Sequence, residues 1–228
     1  MGRAVAVFDW DGVVIDSARA HELSWEELAA QERLPLPPDH FVRGFGKRNE
    51  FIIPEILGWS RDPAEVRRLA GRKEALYREH ARRGRAAGTG EIRLLPGIME
   101  LTAGLRRLGV PCVIGTSTPR ANLLLSFELF PGLGDGFAGA VASEDVTKGK
   151  PDPEVFLKAC ALAGGEPASS FVFEDSFSGL QAGLSGGFVT VALATTNTPE
   201  ALAAQKPHRI VKDLSEVDPA WLVRGLPR

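Results

Sequence analysis

The chain has 228 residues, 44% of them hydrophobic and 25% charged, which suits one medium α/β-sized domain or a domain carrying a smaller insert. Its 27 basic and 29 acidic side chains leave a net charge of −2, which excludes a nucleic-acid binder held by global electrostatics. No apolar run approaches the ~18–20 residues of a membrane span, and no leader pattern opens the chain, which is writing a strand by Val5. Cys112 and Cys160 lack metal-ligand spacing and read as buried free thiols or, alternatively, one disulfide. A reducing compartment follows as the default: the cytoplasm, or an organelle for a mature form.

The first element is Ala4-Val5-Ala6-Val7-Phe8, a continuous apolar run of the kind found in strands buried on both faces. It stops at Asp9-Trp10-Asp11-Gly12. From residue 17 to about residue 90 the signals are helical, over 18–33, roughly 48–57 and 63 to about 83. The third of these opens with Asp62 as N-cap, Pro63 at the first helical position and Glu65 after it; Gly84, Gly88 and Gly90 read as a loose return. Beyond it, strand-like runs at 110–114, 138–142, 171–173 and 188–193 alternate with helix-length stretches at 98–108, 119–129, 153–163 and 178–185. This alternation predicts an α/β fold, a doubly wound, Rossmann-like parallel sheet. The expected division is residues 1–16 with 91–228 as the α/β core and 17–90 as an inserted α-helical domain.

The residues that carry chemistry stand where strands end. Asp9 and Asp11 lie just past the first strand, the place where open α/β sheets put their active sites, and Gly12 permits a tight turn. Gly115-Thr116-Ser117-Thr118-Pro119 follows the second run of the sheet. Lys148-Gly149-Lys150-Pro151-Asp152-Pro153 opens a helix, and Glu174-Asp175-Ser176 follows the strand at 171–173.

In this order the four strings resemble the four motifs of the haloacid dehalogenase superfamily of phosphotransferases, and the resemblance covers essentially the whole chain. It implies that Asp9 is the nucleophile and forms an aspartyl-phosphate, and that Asp11 is the acid and base. Thr116, Ser117 and Lys150 would hold phosphate, with the metal bound by Asp9, the Asp11 carbonyl, Asp175 and, as a further ligand, Glu174. The implied cofactor is Mg²⁺, a hard cation that neutralises a phosphate dianion so that a carboxylate can approach it. Trp10 is bulkier than most residues between the two aspartates.

The helical insert resembles the small α-helical cap of the branch containing β-phosphoglucomutase and many sugar-phosphate phosphatases. That likeness rests on His21-Glu22-Leu23-Ser24-Trp25, on Gly44-Phe45-Gly46-Lys47-Arg48 and on Arg72-Lys73. It implies substrate contacts from His21, Lys47, Arg48 and Lys73, each of which also reads as an ordinary helix-face residue. The expectation is a Mg²⁺-dependent phosphatase acting as a monomer on a small phosphorylated metabolite, with no nucleic-acid or membrane partner. The alternative is a β-phosphoglucomutase-type isomerase using the same Asp9. A binding module without catalysis is disfavoured because Asp9, Asp11 and Asp175 are all present.

Overall fold

The structure, a computed structural model, describes residues 2–224. In chain order the elements are β1 (Ala6–Phe8), β2 (Ile15–Asp16), α1 (Ala18–Glu32), α2 (His40–Gly44), α3 (Asn49–Phe51), α4 (Pro63–Ala87), β3 (Arg93–Leu94), α5 (Ile98–Arg107), β4 (Cys112–Gly115), α6 (Arg120–Leu129), β5 (Ala140–Val141), α7 (Glu154–Leu162), β6 (Phe171–Glu174), α8 (Phe177–Ser185), β7 (Val189–Leu193), α9 (Pro199–Ala203), β8 (Arg209–Val211) and α10 (Pro219–Arg224). The chain forms two compact units. One is Asp16–Arg93; the other takes in the chain up to Ile15 and from Leu94 onward.

The α/β unit is built on six strands in the order β5-β4-β1-β6-β7-β8, every pair parallel. Side chains alternate between faces, as a pleated strand requires. Val5, Val7, Val113 and Val172 point to one face and pack with Val155, Phe156, Ala159 and Cys160 of α7 and with Ala182 of α8. Phe8 stacks on Phe173 at 4.6 Å and meets Phe137 edge-on at 5.8 Å. Both cysteines are buried free thiols, and burial pushes Cys112 up to about 12.

The helical unit packs Trp25 and Leu28 of α1 against Val66, Leu69, Ala70 and Leu76 of α4, with Ile52, Ile53 and Leu57 filling the space between. Asp62 caps α4 as its sequence predicts: its side chain accepts from Ala64 N at 3.0 Å with Pro63 behind it. Among the described residues no helix is long and apolar enough to cross a membrane.

Several boundaries differ from the sequence reading. The stretch 48–57 is one α-helical turn, α3, that widens into a π-helical segment, Ile52–Leu57. Pro54 sits inside it and has no N–H to give an ordinary helical ladder. Gly84 belongs to α4 rather than to a return loop. A Cβ there would lie 2.3 Å from Glu91 Oε2, so the glycine admits a close neighbour instead of breaking the helix. β4 starts at Cys112 because Pro111 cannot donate to a ladder, although its carbonyl accepts from Ala6 N at 2.9 Å. Only Ala140–Val141 of the 138–142 run is regular strand, at the sheet edge. α2, the short strands β2 and β3, the edge strand β8 and the helices α9 and α10 had no expected counterpart.

Candidate active site

The parallel register dictates what gathers at the carboxyl ends of the strands. Phe8 pairs with Ile114 on one side and with Phe173 on the other. Asp9 therefore follows β1 between the residues that follow β4, Thr116 among them, and those that close β6, Glu174 and Asp175. Asp9 N still donates to Phe173 O at 3.0 Å, so the residue leaves the sheet in fixed register. The Trp10 carbonyl then accepts from the N–H groups of Val13, Val14 and Ile15 at 3.3, 2.8 and 3.1 Å, folding the chain back on itself. The Trp10 indole anchors this turn, fully buried and edge-on to Phe127 at 5.5 Å. Gly12 has φ 80°, and a Cβ there would lie 2.0 Å from Asp175 Oδ2. Both its conformation and its neighbour demand glycine.

Lys150, Asp9, Glu174 and Asp175 form the centre. Lys150 Nζ lies 2.7 Å from Glu174 Oε1 and 2.9 Å from Asp9 Oδ1, the second contact being an ion pair outside hydrogen-bond direction. Its ammonium also rides over the Phe156 ring at 4.6 Å. Glu174 spends its other oxygen on Ser176 N at 2.5 Å, and Ser176 in turn caps α8 by accepting from Gly179 N at 3.1 Å. The Glu174 carboxylate lies so close to α8 that a Cβ on Gly179 would stand 1.7 Å from its Oε1.

One lysine serves three buried carboxylates, and the electrostatics follow from that shortage. Burial raises Asp9 to about 7, with the charges of Glu174 and Asp11 adding to the rise and Lys150 opposing it. Burial, then Glu174 and Asp9, hold Asp175 well above the ordinary carboxylate range. Glu174 goes the other way: burial alone would raise it, but Lys150 and the Ser176 N–H together hold it low. Burial alone would likewise discharge Lys150, yet Asp9 and Glu174 keep it firmly protonated.

This donor set fits a divalent cation. Asp9, Glu174 and Asp175 each offer an oxygen, the three lying within 4.8 Å of one another. Asp175 Oδ1 is buried with no hydrogen-bond partner, an uncompensated acceptor of the kind a hard cation satisfies.

Asp11 is half-buried and accepts a short hydrogen bond from the Thr118 hydroxyl. Thr118 N donates to Thr116 Oγ1 at 3.1 Å, so the loop after β4 is bonded internally and to the Asp9–Gly12 turn. Ser117 is half-buried beside it. Thr118 was not singled out from sequence; a third hydroxyl residue in Thr116-Ser117-Thr118 was its only signal. Thr195, Thr196 and Asn197 were missed too, although they contact Gly12 and Asp175.

Within the helical unit, Lys73 and His21 meet at 2.7 Å between Nζ and Nδ1. Glu74 accepts from Lys73 at 2.9 Å and from Asn49 Nδ2 at 2.7 Å. Burial would raise Glu74, but Lys73, His21 and Asn49 overturn that and lower it to about 2. His21 stacks on Tyr77 with centroids 4.0 Å apart. Lys47 and Arg48 lie on the turn before α3, next to Asn49. Lys47 lies over the Phe51 ring at 5.1 Å, and Arg48 Nε is 3.7 Å from Glu50.

An open parallel sheet with an inserted helical cap and an acidic centre at its strand ends defines the class. The chain belongs to the haloacid dehalogenase-like hydrolases, whose sequence model matches residues 4–187, and to their β-phosphoglucomutase-like branch. Members of this superfamily generally use a divalent metal, usually Mg²⁺. It is 36% identical over 93% of its length to the chloroplastic 5-amino-6-(5-phospho-D-ribitylamino)uracil phosphatase of Arabidopsis thaliana, and spans 56% of that protein. It is 32% identical to validoxylamine A 7'-phosphate phosphatase of Streptomyces hygroscopicus subsp. limoneus, covering 93% of this chain and 95% of that one. Identity to the β-phosphoglucomutase of Bacillus subtilis is 30%, over 82% of this chain and 81% of the other. Among solved structures, a family IA hydrolase of Entamoeba histolytica superposes with a TM-score of 0.84 at 26% identity, covering 97% of this chain and 100% of that one.

Proposed function

We propose that the protein is a Mg²⁺-dependent phosphatase that hydrolyses a small phosphorylated metabolite, a sugar, polyol or cyclitol phosphate, through an aspartyl-phosphate on Asp9. The observation that carries this reading is the buried grouping of Asp9, Asp175 and Glu174 around Lys150 at the end of β1. The phosphatases among its relatives, named for a phosphoribitylamino-uracil and for validoxylamine A 7'-phosphate, support a small phosphorylated metabolite as substrate. Mg²⁺, held by Asp9, Asp175 and the Asp11 carbonyl, would neutralise phosphate charge when bound.

The rest is the work of the chain's own residues. An Asp9 carboxylate oxygen attacks phosphorus, and the ester P–O bond breaks as Asp11 gives its proton to the departing alkoxide. Lys150, charged and held on Glu174, offsets negative charge on the non-bridging oxygens, which Thr116 and Ser117 also bind. A water then attacks the phosphorus of the acyl phosphate while Asp11, now a carboxylate, takes its proton. The bond between phosphorus and Asp9 breaks, returning the free carboxylate and inorganic phosphate. Glu174 acts chiefly as the seat of Lys150, since both its oxygens are already engaged.

The cluster of His21, Lys73, Glu74 and Asn49 favours a second reading, a β-phosphoglucomutase-type isomerase, because its His21 and Lys73 resemble residues of the mutase cap. One experiment separates the two: a panel of sugar, polyol and cyclitol phosphates with Mg²⁺, scored for free phosphate and for isomerised sugar phosphate. Release of phosphate without isomerisation supports the phosphatase. Conversion of β-glucose 1-phosphate to the 6-phosphate supports the mutase, and neither product overturns both.

A further inference from the structure

The turn between β7 and α9 reads Thr195-Thr196-Asn197, and all three side chains reach into the acidic centre. Thr195 Oγ1 donates to the Gly12 carbonyl at 2.5 Å. Thr196 Oγ1 donates to Asp175 Oδ2 at 2.5 Å, and Asn197 Nδ2 donates to the Asp175 main-chain carbonyl at 2.9 Å. The sheet puts the turn there: Glu174 of β6 pairs with Ala192 of β7, so the chain leaving β7 passes beside Asp175. These residues lie beyond the 4–187 span matched by the family and outside the four motifs.

The bonds have a geometric consequence. A carboxylate with one oxygen held by a hydroxyl and its main chain held by an amide has lost its rotational freedom. Its second oxygen then points one way. For Asp175 that second oxygen is the buried, unpartnered Oδ1. Gly12 is fixed by Thr195 and lies against Asp175 so closely that a Cβ would collide with it, so the turn carrying Asp9 and Asp11 is tied to the same latch.

We propose that Thr195, Thr196 and Asn197 are positioning residues, a hydroxyl–hydroxyl–amide latch that aims Asp175 Oδ1 at a divalent cation and joins it to the Asp9–Gly12 turn. The proposal rests on the reading of this centre as a cation site. Partners of this kind behind a metal ligand are worth about 10–100-fold in metal affinity.

The test is calorimetric titration of the full chain with MgCl₂, without substrate, for wild type, Thr196→Val and Thr196→Ser. Thr196 is itself exposed, so Thr196→Val should keep the wild-type far-UV dichroism in chelator, with a urea midpoint lowered by no more than the loss of one hydrogen bond. It should bind Mg²⁺ about 10–100-fold more weakly, whereas Thr196→Ser, which keeps the hydroxyl, should bind as wild type does. The Mg²⁺ activation curve of phosphate release should shift by the same factor, with turnover at saturating Mg²⁺ retained. Wild-type Mg²⁺ affinity in Thr196→Val, or equal loss in Thr196→Ser, overturns the latch while an active, Mg²⁺-dependent wild type leaves the phosphatase standing. A wild type that neither takes up Mg²⁺ nor releases phosphate overturns the cation site and the latch together.

Discussion

Replacing Asp9 by Asn should stabilise the metal-free protein while abolishing its turnover. Asp9 is buried, and its pKa is raised from 3.8 to about 7 by burial and by the charges of Glu174 and Asp11, against Lys150. Between those two values the folded protein holds a proton that the unfolded chain has released, so stability falls as pH rises through that window. At about 1.4 kcal/mol for each tenfold change in acidity, ionised Asp9 costs the fold about 4 kcal/mol once the window is passed. Asparagine keeps the shape without the charge, and Lys150 keeps its 2.7 Å partner Glu174. The cost of ionised Asp9 is already net of the Lys150 attraction, so the gain should be about 4 kcal/mol at about pH 8, shrinking towards zero near about pH 4.

Equilibrium urea unfolding in chelator, followed by fluorescence and far-UV dichroism across that pH range, measures this directly. Added Mg²⁺ should then reverse the order, stabilising wild type by mass action and Asp9→Asn much less. A metal-free Asp9→Asn that is less stable than wild type at about pH 8, or a gain that does not shrink in acid, would refute the electrostatic account.

Gly12→Ala should lose activity and Mg²⁺ affinity together and cost about 1–3 kcal/mol in urea unfolding, because the new Cβ meets Asp175 Oδ2 in a backbone of φ 80°. Glu74→Gln should destabilise the protein by roughly 3 kcal/mol at neutral pH, the value of lowering Glu74 from 4.5 to about 2. Its far-UV melts should then lack the wild-type loss of stability below about pH 4.5, and a wild type insensitive to acid there would contradict the pairing. Asp11→Asn, given p-nitrophenyl phosphate, whose leaving group needs little protonation, should accumulate the covalent intermediate. Intact mass after an acid quench should show one phosphoryl group on Asp11→Asn and none on Asp9→Asn; label on the latter would mean the pair is misassigned.

What was legible in the sequence was local. Asp9-Trp10-Asp11-Gly12 announces a turn after a strand because its chemistry and its conformation sit in four consecutive residues. The α4 start was legible for the same reason, its Asp62 cap and Pro63 being adjacent. Lys150 and Glu174 were legible as chemical types, but their 2.7 Å pairing joins residues 24 apart in sequence and belongs to the sheet order. The role of Gly84 depends on Glu91, and that of Gly179 on Glu174, contacts that no helix-breaking rule contains. Thr195-Thr196-Asn197 resembles any polar turn before a Pro-started helix. Only the β6–β7 pairing reveals that it faces Asp175. β8 is three residues long, with Arg209 exposed at its start, too short for a periodic signal at a sheet edge.

Buried carboxyls of the two units respond to burial in opposite ways, and the difference is the supply of partners. Glu74 is met by Lys73 at 2.9 Å and Asn49 at 2.7 Å, with His21 adding positive charge, and its pKa falls to about 2. Asp9 and Asp175 share the single Lys150 with Glu174, which claims it at the shorter distance, and both are raised. The helical unit has thus satisfied its buried charge, whereas the α/β unit retains an excess of carboxylate oxygen at one point. Acidification towards about pH 5 should therefore strengthen the metal-free α/β unit by returning protons to Asp9 and Asp175. Only further acid, below about pH 4.5, should weaken the helical unit by protonating Glu74. Mg²⁺ should abolish the first effect and leave the second untouched, because among the described residues the carboxylate cluster that could hold a cation, Asp9, Glu174 and Asp175, lies in the α/β unit. If Mg²⁺ shifts both limbs of the pH–stability curve equally, the excess charge has been placed in the wrong unit.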